Sequence, residues 1–200
     1  RISKTYKGKT IHWVWDGNVP LHEWTEESDV TTWLFEEGTF VPTAKIVGDK
    51  SYSIITDYLG TPTHAFDSHG AKVWERNLDI YGKIRTGSST LVPFLFQGQY
   101  FDEETDLCYN RFRYYSPDTG LYISWDPIGL AGNNPTLYAY VRDVNNRIDP
   151  LGLDDLYALV ARKDGWYPVF EYGKKNPIGE MFLKEGDLWK IGTSKDALKR

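Results

Sequence analysis

Two pentapeptides, Asp126-Pro127-Ile128-Gly129-Leu130 and Asp149-Pro150-Leu151-Gly152-Leu153, differ at one position and place their aspartates 23 residues apart. Paired carboxyls are what hydrolysis of a peptide bond asks for. One takes a proton from water and one gives a proton to the departing nitrogen. Two carboxyls held close cannot both ionise, so their titrations separate and a shared proton is retained. The same residues also read as turns, because Asp accepts backbone N–H groups, Pro fixes its own φ and Gly supplies a left-handed position. A turn accounts for one copy well. Two matched copies ahead of a change in composition point further, to an aspartic-type dyad at Asp126 and Asp149.

Other chemistries have weaker footing in this chain. The four histidines, His12, His22, His64 and His69, all precede residue 70, and neither a Cys-x-x-Cys nor a His-Glu-x-x-His spacing occurs. No metal ligand is therefore assigned, and each His reads as an exposed or hydrogen-bonded strand residue. Cys108 is the single cysteine, so no disulfide forms within the chain, and it reads as a small buried hydrophobe. A formal net charge of −5 opposes a general nucleic-acid-coating surface. No apolar run approaches the roughly 20 residues that cross a bilayer, and no signal-like segment is present, so no membrane span is expected in this segment. Starting at Arg1 and stopping at Arg200 within a basic run, the sequence reads as part of something longer.

The elements that must position the aspartates are strands. Aromatics are 16 % of residues, with 8 Trp, 14 Tyr and 18 Gly against one Met, a mixture suited to half-buried strands and tight turns. Residues 10–15, 31–35 and 51–55 place aromatic and β-branched side chains at period two. From Asp57 to Ile84 each short run closes on glycine or proline. Tyr100–Leu107 and Tyr114–Leu121 then repeat at an offset of 14 residues, each reading as strand, turn, strand. A hairpin that cannot bury its own face must stack on neighbours, as in a solenoid or spiral sheet. A mainly β fold follows.

At this point a family resemblance becomes specific. DYLGTPTHAFDSHGAKVWERNLDIYGKI at 57–84 resembles the signature of RHS and YD-repeat proteins just before their core-closing segment, and residues 97–153 resemble the RHS repeat-associated core almost from end to end. The resemblance implies YD-repeat hairpins spiralling into a hollow β shell, closed by a self-cleaving module. In that family the chain is cut immediately after the second pentapeptide, which here is the Leu153–Asp154 bond. An arginine upstream of the first aspartate belongs to the same pattern, and Arg113 fills its place. A guanidinium there could keep the base ionised, hold the chain, or stabilise the developing oxyanion. Self-cleavage of this kind needs no cofactor.

After Asp154 the charge balance turns positive and the Asp-Pro hairpins stop, which sets the expected organisation: 1–96 a YD-repeat shell segment, 97–153 the core with its cleavage motif, 154–200 the start of a small α+β toxin domain. Residues 179–183 and 188–192 read as two strands of one hairpin about Glu185-Gly186-Asp187, with a helix beginning near Ser194. This order resembles the opening of GIY-YIG nucleases, in which Gly192 and Arg200 would be the second-strand glycine and the helical arginine. Met181 and Lys190 stand where that family has tyrosines. A complete domain of that kind would use a divalent metal held further downstream and would act on nucleic acid.

The reading is thus a bacterial polymorphic toxin, made in the cytoplasm and delivered to competing or host cells. Its shell encloses its own toxin domain and releases it by cleavage after Leu153. The partners implied are a delivery apparatus and a cognate immunity protein. Two alternatives stand beside it: a structural shell or adhesin that is never cut, and a nuclease effector for which the core is packaging.

Overall fold

In the computed structural model the description covers residues 1–129, 136–153, 156–169 and 176–193. Eight antiparallel strands follow one another in sequence order as a single meander: β1 (Ser3–Tyr6), β2 (Lys9–Asp16), β3 (Val19–Thr25), β4 (Thr31–Phe35), β5 (Pro42–Val47), β6 (Lys50–Thr56), β7 (Pro62–Asp67) and β8 (Lys72–Glu75). Alternation along these strands turns Trp13, Trp33, Ile54, Ala65 and Trp74 to one face. Register lines several of them up, with Ile54 opposite Ala65 and Ala65 opposite Trp74. That face packs on Val92, Phe94, Tyr100 and Tyr109 of the following segment, where Phe94 meets Trp33 edge-on with centroids 4.7 Å apart. The other face keeps Val14, Leu34, Ile46, Ile55 and Val73 exposed.

A small pair, β9 (Asn77–Leu78) and β10 (Ile84–Thr86), leads into a second antiparallel sheet of β11 (Tyr100–Asp102), β12 (Leu107–Asn110), β13 (Arg113–Ser116) and β14 (Leu121–Tyr122). The 14-residue repeat is visible here as two strand–turn–strand units. Asp106 and Gly120, equivalent positions in the two copies, both take positive φ, at 55° and 71°. Glycine adopts that conformation freely, and aspartate is among the few other residues that accept it. Beneath this sheet Leu95, Cys108, Tyr115, Tyr122 and Tyr140 form a second buried cluster.

One device recurs along the chain. At Asp57, Asp67 and Asp79 the carboxylate Oδ1 accepts the N–H groups two and four residues later, at 2.8–3.0 Å, and the glycine three residues on is left-handed. The first two turns join β6 to β7 and β7 to β8, and the third precedes Ile84 in the small pair that follows the meander, so Asp-x-x-Gly is a recurring hairpin loop of this fold.

The closing strands are β15 (Arg147–Ile148), β16 (Leu156–Val160), β17 (Gly165–Val169), β18 (Gly179–Leu183) and β19 (Leu188–Thr193). The expected strands at 179–183 and 188–192 are present, but they do not pair with each other. β18 pairs with β17, and β19 pairs with β16. Ala161 bridges the two ladders through bonds with Asp187 and Gly186, so the whole is one long nested hairpin. The local turn at Lys184–Asp187 does form, capped by Asp187, yet it redirects the chain instead of folding one strand on the next. The expected helix from Ser194, with Arg200, lies outside the described residues. β15 pairs with β16, Arg147 opposite Tyr157 and Ile148 opposite Leu156, so backbone on the two sides of Leu153–Asp154 is hydrogen-bonded together.

Candidate functional site

Arg113 opens β13, and at 2 % exposure it is among the most enclosed charges in the chain. Strand alternation points it beneath the sheet, where Nη2 lies 3.0 Å from Asp126 Oδ2 and 3.2 Å from Asp149 Oδ2. Its Nε donates to the carbonyl of Gly152 at 2.5 Å, and the guanidinium carbon sits 3.6 Å from the ring centroid of Tyr122. The three positions singled out in the sequence, Arg113, Asp126 and Asp149, are thus gathered in one buried place.

Each aspartate makes one contact of the hairpin-loop device. Asp149 Oδ1 accepts the N–H of Leu153, four residues on, and Asp126 Oδ1 accepts the N–H of Ile128, two residues on, both at 2.9 Å. Gly129 and Gly152 have φ of 62° and 72°, as the loop glycines elsewhere do. Turn and site are therefore not rival readings of these pentapeptides: Oδ1 closes each turn and Oδ2 is directed to the guanidinium. The first peptide bond beyond the Asp149 turn is Leu153–Asp154. Leu153 is described, whereas Asp154 and Leu130 lie outside the described residues.

The two Oδ2 atoms differ in their company. Asp149 Oδ2 also accepts the Tyr122 hydroxyl at 2.8 Å, and Tyr122 in turn accepts from Asn110 Nδ2 at 2.7 Å. Asp126 Oδ2 is buried and, although within ion-pair distance of Arg113, makes no hydrogen bond of proper geometry. Two carboxyl groups thus converge on one guanidinium in a buried place. Burial pushes the Tyr122 and Tyr140 phenols well above their ordinary range, with the charge of Asp149 adding to it.

Sequence reasoning missed Asn110, Tyr122 and Gly98. Tyr122 follows directly on the repeat, but nothing in its spacing distinguishes it from the other tyrosines. Gly98 is needed because a Cβ there would overlap the Pro150 carbonyl oxygen, so the turn of the second pentapeptide docks on bare backbone. The histidines lie apart from the site: His12 stacks on Trp24 and His22 meets Thr32 at 2.9 Å. Cys108 is free and fully buried, as expected. Gly192 is in β19, opposite Tyr157. Among the described residues no three His, Cys, Asp or Glu side chains gather as a metal site.

A β meander followed by a buried Arg–Asp–Asp cluster on Asp-x-x-Gly turns is the architecture of a repeat shell. The teneurin YD-shell family model matches residues 26–141, and the chain belongs to that family. The model of URI fold toxin 2 matches residues 170–200. Among curated relatives, the probable deoxyribonuclease RhsB of Dickeya dadantii is 41 % identical over 54 % of this chain, and the toxin protein Tse5 of Pseudomonas aeruginosa is 43 % identical over 49 %. The chain spans only 8 % of the length of each. In fold it is similar to the crystal structure of TcdB2-TccC3 without hypervariable C-terminal region, at a TM-score of 0.59 and 19 % identity, over 76 % of this chain and 8 % of that one. The chain is accordingly of the RHS/YD-repeat polymorphic-toxin type.

Proposed function

We propose that this segment closes the shell of an RHS-type toxin and cuts its own chain at Leu153–Asp154, freeing the residues that follow as an enclosed effector. The observation that supports this best is the single Arg113 nitrogen shared by Asp126 and Asp149 beneath the turn that ends at Leu153. In the step proposed, Asp126 Oδ2 takes a proton from water, whose oxygen attacks the Leu153 carbonyl carbon. The Leu153–Asp154 C–N bond then breaks, and the proton passes to the Asp154 nitrogen, so that one carboxyl serves as base and then as acid. Asp149 holds the turn rigid through Leu153 N–H, and Arg113 holds the Gly152 carbonyl while offsetting the charge of both carboxylates.

Intact-mass spectrometry of the chain beside its Asp126→Asn and Asp149→Asn variants tests this reading. A fragment ending at Leu153 in the wild type and not in the variants is expected. One uncut mass in all three returns both pentapeptides to hairpin loops and leaves a structural shell or adhesin. That second reading draws its support from Asp57, Asp67 and Asp79, whose carboxylates make similar turn contacts.

For residues 154–200 we propose the start of a nuclease-like toxin, supported by the URI fold toxin match and by relatives named deoxyribonucleases. Gly192 and Arg200 are the residues that this reading would engage, with nucleic acid as target, a divalent metal in the complete domain and an immunity protein as guard. Among the described residues no three His, Cys, Asp or Glu side chains form that metal site. Synthesis in the cytoplasm and delivery into competing or host cells by a secretion apparatus belong to the same proposal. No helix among the described residues is long and apolar enough to cross a membrane.

A further inference from the structure

Asp149 is held by more than Arg113. Tyr122, the last residue of β14, donates its hydroxyl to Asp149 Oδ2 at 2.8 Å, and Asn110, the last residue of β12, donates Nδ2 to the Tyr122 oxygen at 2.7 Å and to the Asp149 backbone carbonyl at 2.9 Å. Tyr122 is 2 % exposed, and Asn110 and Asp149 are fully buried. Because the Asn110 amide donates to the phenol oxygen, the phenol proton is directed onto Asp149. The polarity of the relay is thereby fixed, from amide to phenol to carboxylate. The same ring lies under the Arg113 guanidinium, so one side chain sets the places of both partners of Asp126.

We infer that Tyr122, oriented by Asn110, is a positioning residue that keeps Asp149 ionised with Oδ2 toward Arg113 and leaves Asp126 to exchange protons with water. The inference rests on the proposed self-cleavage and names a residue that the paired pentapeptides do not contain. Burial raises the phenol well above its ordinary range, so it remains a donor wherever carboxylates titrate. The groups facing Asp149 are Arg113 from β13, Tyr122 from β14, Asp126 from the segment after β14 and Tyr140 from the segment before β15, whose oxygen is 3.4 Å from Asp149 N. Arg113 and the Tyr122 hydroxyl favour the ionised form, and the charge of Asp126 opposes it. Removing the hydroxyl therefore raises the pH at which Asp149 ionises.

Tyr122→Phe in the full chain keeps the ring beneath Arg113 and deletes only the donor. The fragment ending at Leu153 is followed by intact mass against pH, and the Asp149 carboxyl is titrated by 13C NMR in the same chains. Cleavage at neutral pH is expected to slow about tenfold and the acid limb to move up by about one pH unit, the size of one hydrogen bond to a charged group. Tyr115→Phe is the control, since its hydroxyl is bonded to the Tyr81 carbonyl at 2.7 Å in the same buried cluster, and it should move neither. An unmoved acid limb and carboxyl titration in Tyr122→Phe, with cutting still abolished by Asp149→Asn, overturn the role of Tyr122 and leave self-cleavage standing. A wild-type chain that is never cut overturns both.

Discussion

Asp126 and Asp149, far apart in sequence, meet at one nitrogen of Arg113, 3.0 Å and 3.2 Å away. That shared atom makes Arg113 both a brace for the fold and part of the chemistry proposed. Arg113→Met should therefore lose more than cleavage. Leaving two buried carboxylates without a cation is expected to cost about 3–5 kcal/mol, read as a fall in the urea midpoint. Arg113→Lys keeps the charge but cannot serve the Gly152 carbonyl and both Oδ2 atoms at once, so its stability should fall between the two and its cutting be slowed at least tenfold.

Gly98 gives way to the second pentapeptide. With φ at 82° and the Pro150 carbonyl where a Cβ would stand, Gly98→Ala has to displace the Asp149 turn or strain its own. A loss of about 1–3 kcal/mol is expected in thermal unfolding, together with loss of the Leu153-terminated fragment. Gly70→Ala, at a similar φ but with open space around it, should cost only the backbone strain and leave cutting intact.

Cys108 is a reporter of unfolding. Its burial pushes the thiol well above its ordinary range, so the folded chain holds this proton at pH values where the unfolded chain has released it. The folded state binds the extra proton, and its stability accordingly falls as pH rises past the ordinary thiol value. Ellman's reagent at pH 8 should react only after denaturant is added. Between pH 8 and 11 the urea midpoint of Cys108→Ala should decline less steeply than that of the wild type.

Among the described residues Arg76 meets no carboxylate; its guanidinium donates to the carbonyls of Val92, Phe94 and Pro62 and lies over Trp74. Burial draws it down to about 10, which leaves it charged at neutral pH. Arg76→Met would leave those carbonyls without their donors. A loss of about 2–4 kcal/mol is expected, seen as a drop in Tm of several degrees.

Period-two alternation in residues 31–35 and 51–55 and the glycines closing each run were enough to place strands and loops, because those signals are local. Residues 179–183 and 188–192 show the limit. Their bounds were legible, but their partners were not, since pairing depends on β16 and β17, and a turn such as Lys184–Asp187 fits either outcome. The site divides in the same way. The duplicated Asp-Pro-x-Gly-Leu marked Asp126 and Asp149, and the family pattern added Arg113, whereas Tyr122 and Asn110 carried no signal of their own.

The sequence by itself determined that this chain would be a β meander with aspartate-capped turns, since side-chain period and Asp-x-x-Gly chemistry act within a few residues. Only the tertiary structure decided which oxygen of each aspartate closes a turn and which faces Arg113. It likewise decided that Tyr122 stands between Asn110 and Asp149, and that β15 joins backbone on both sides of Leu153–Asp154. Those relations arise when strands distant in the chain stack and exclude water, and burial then compels each charge to find its partner.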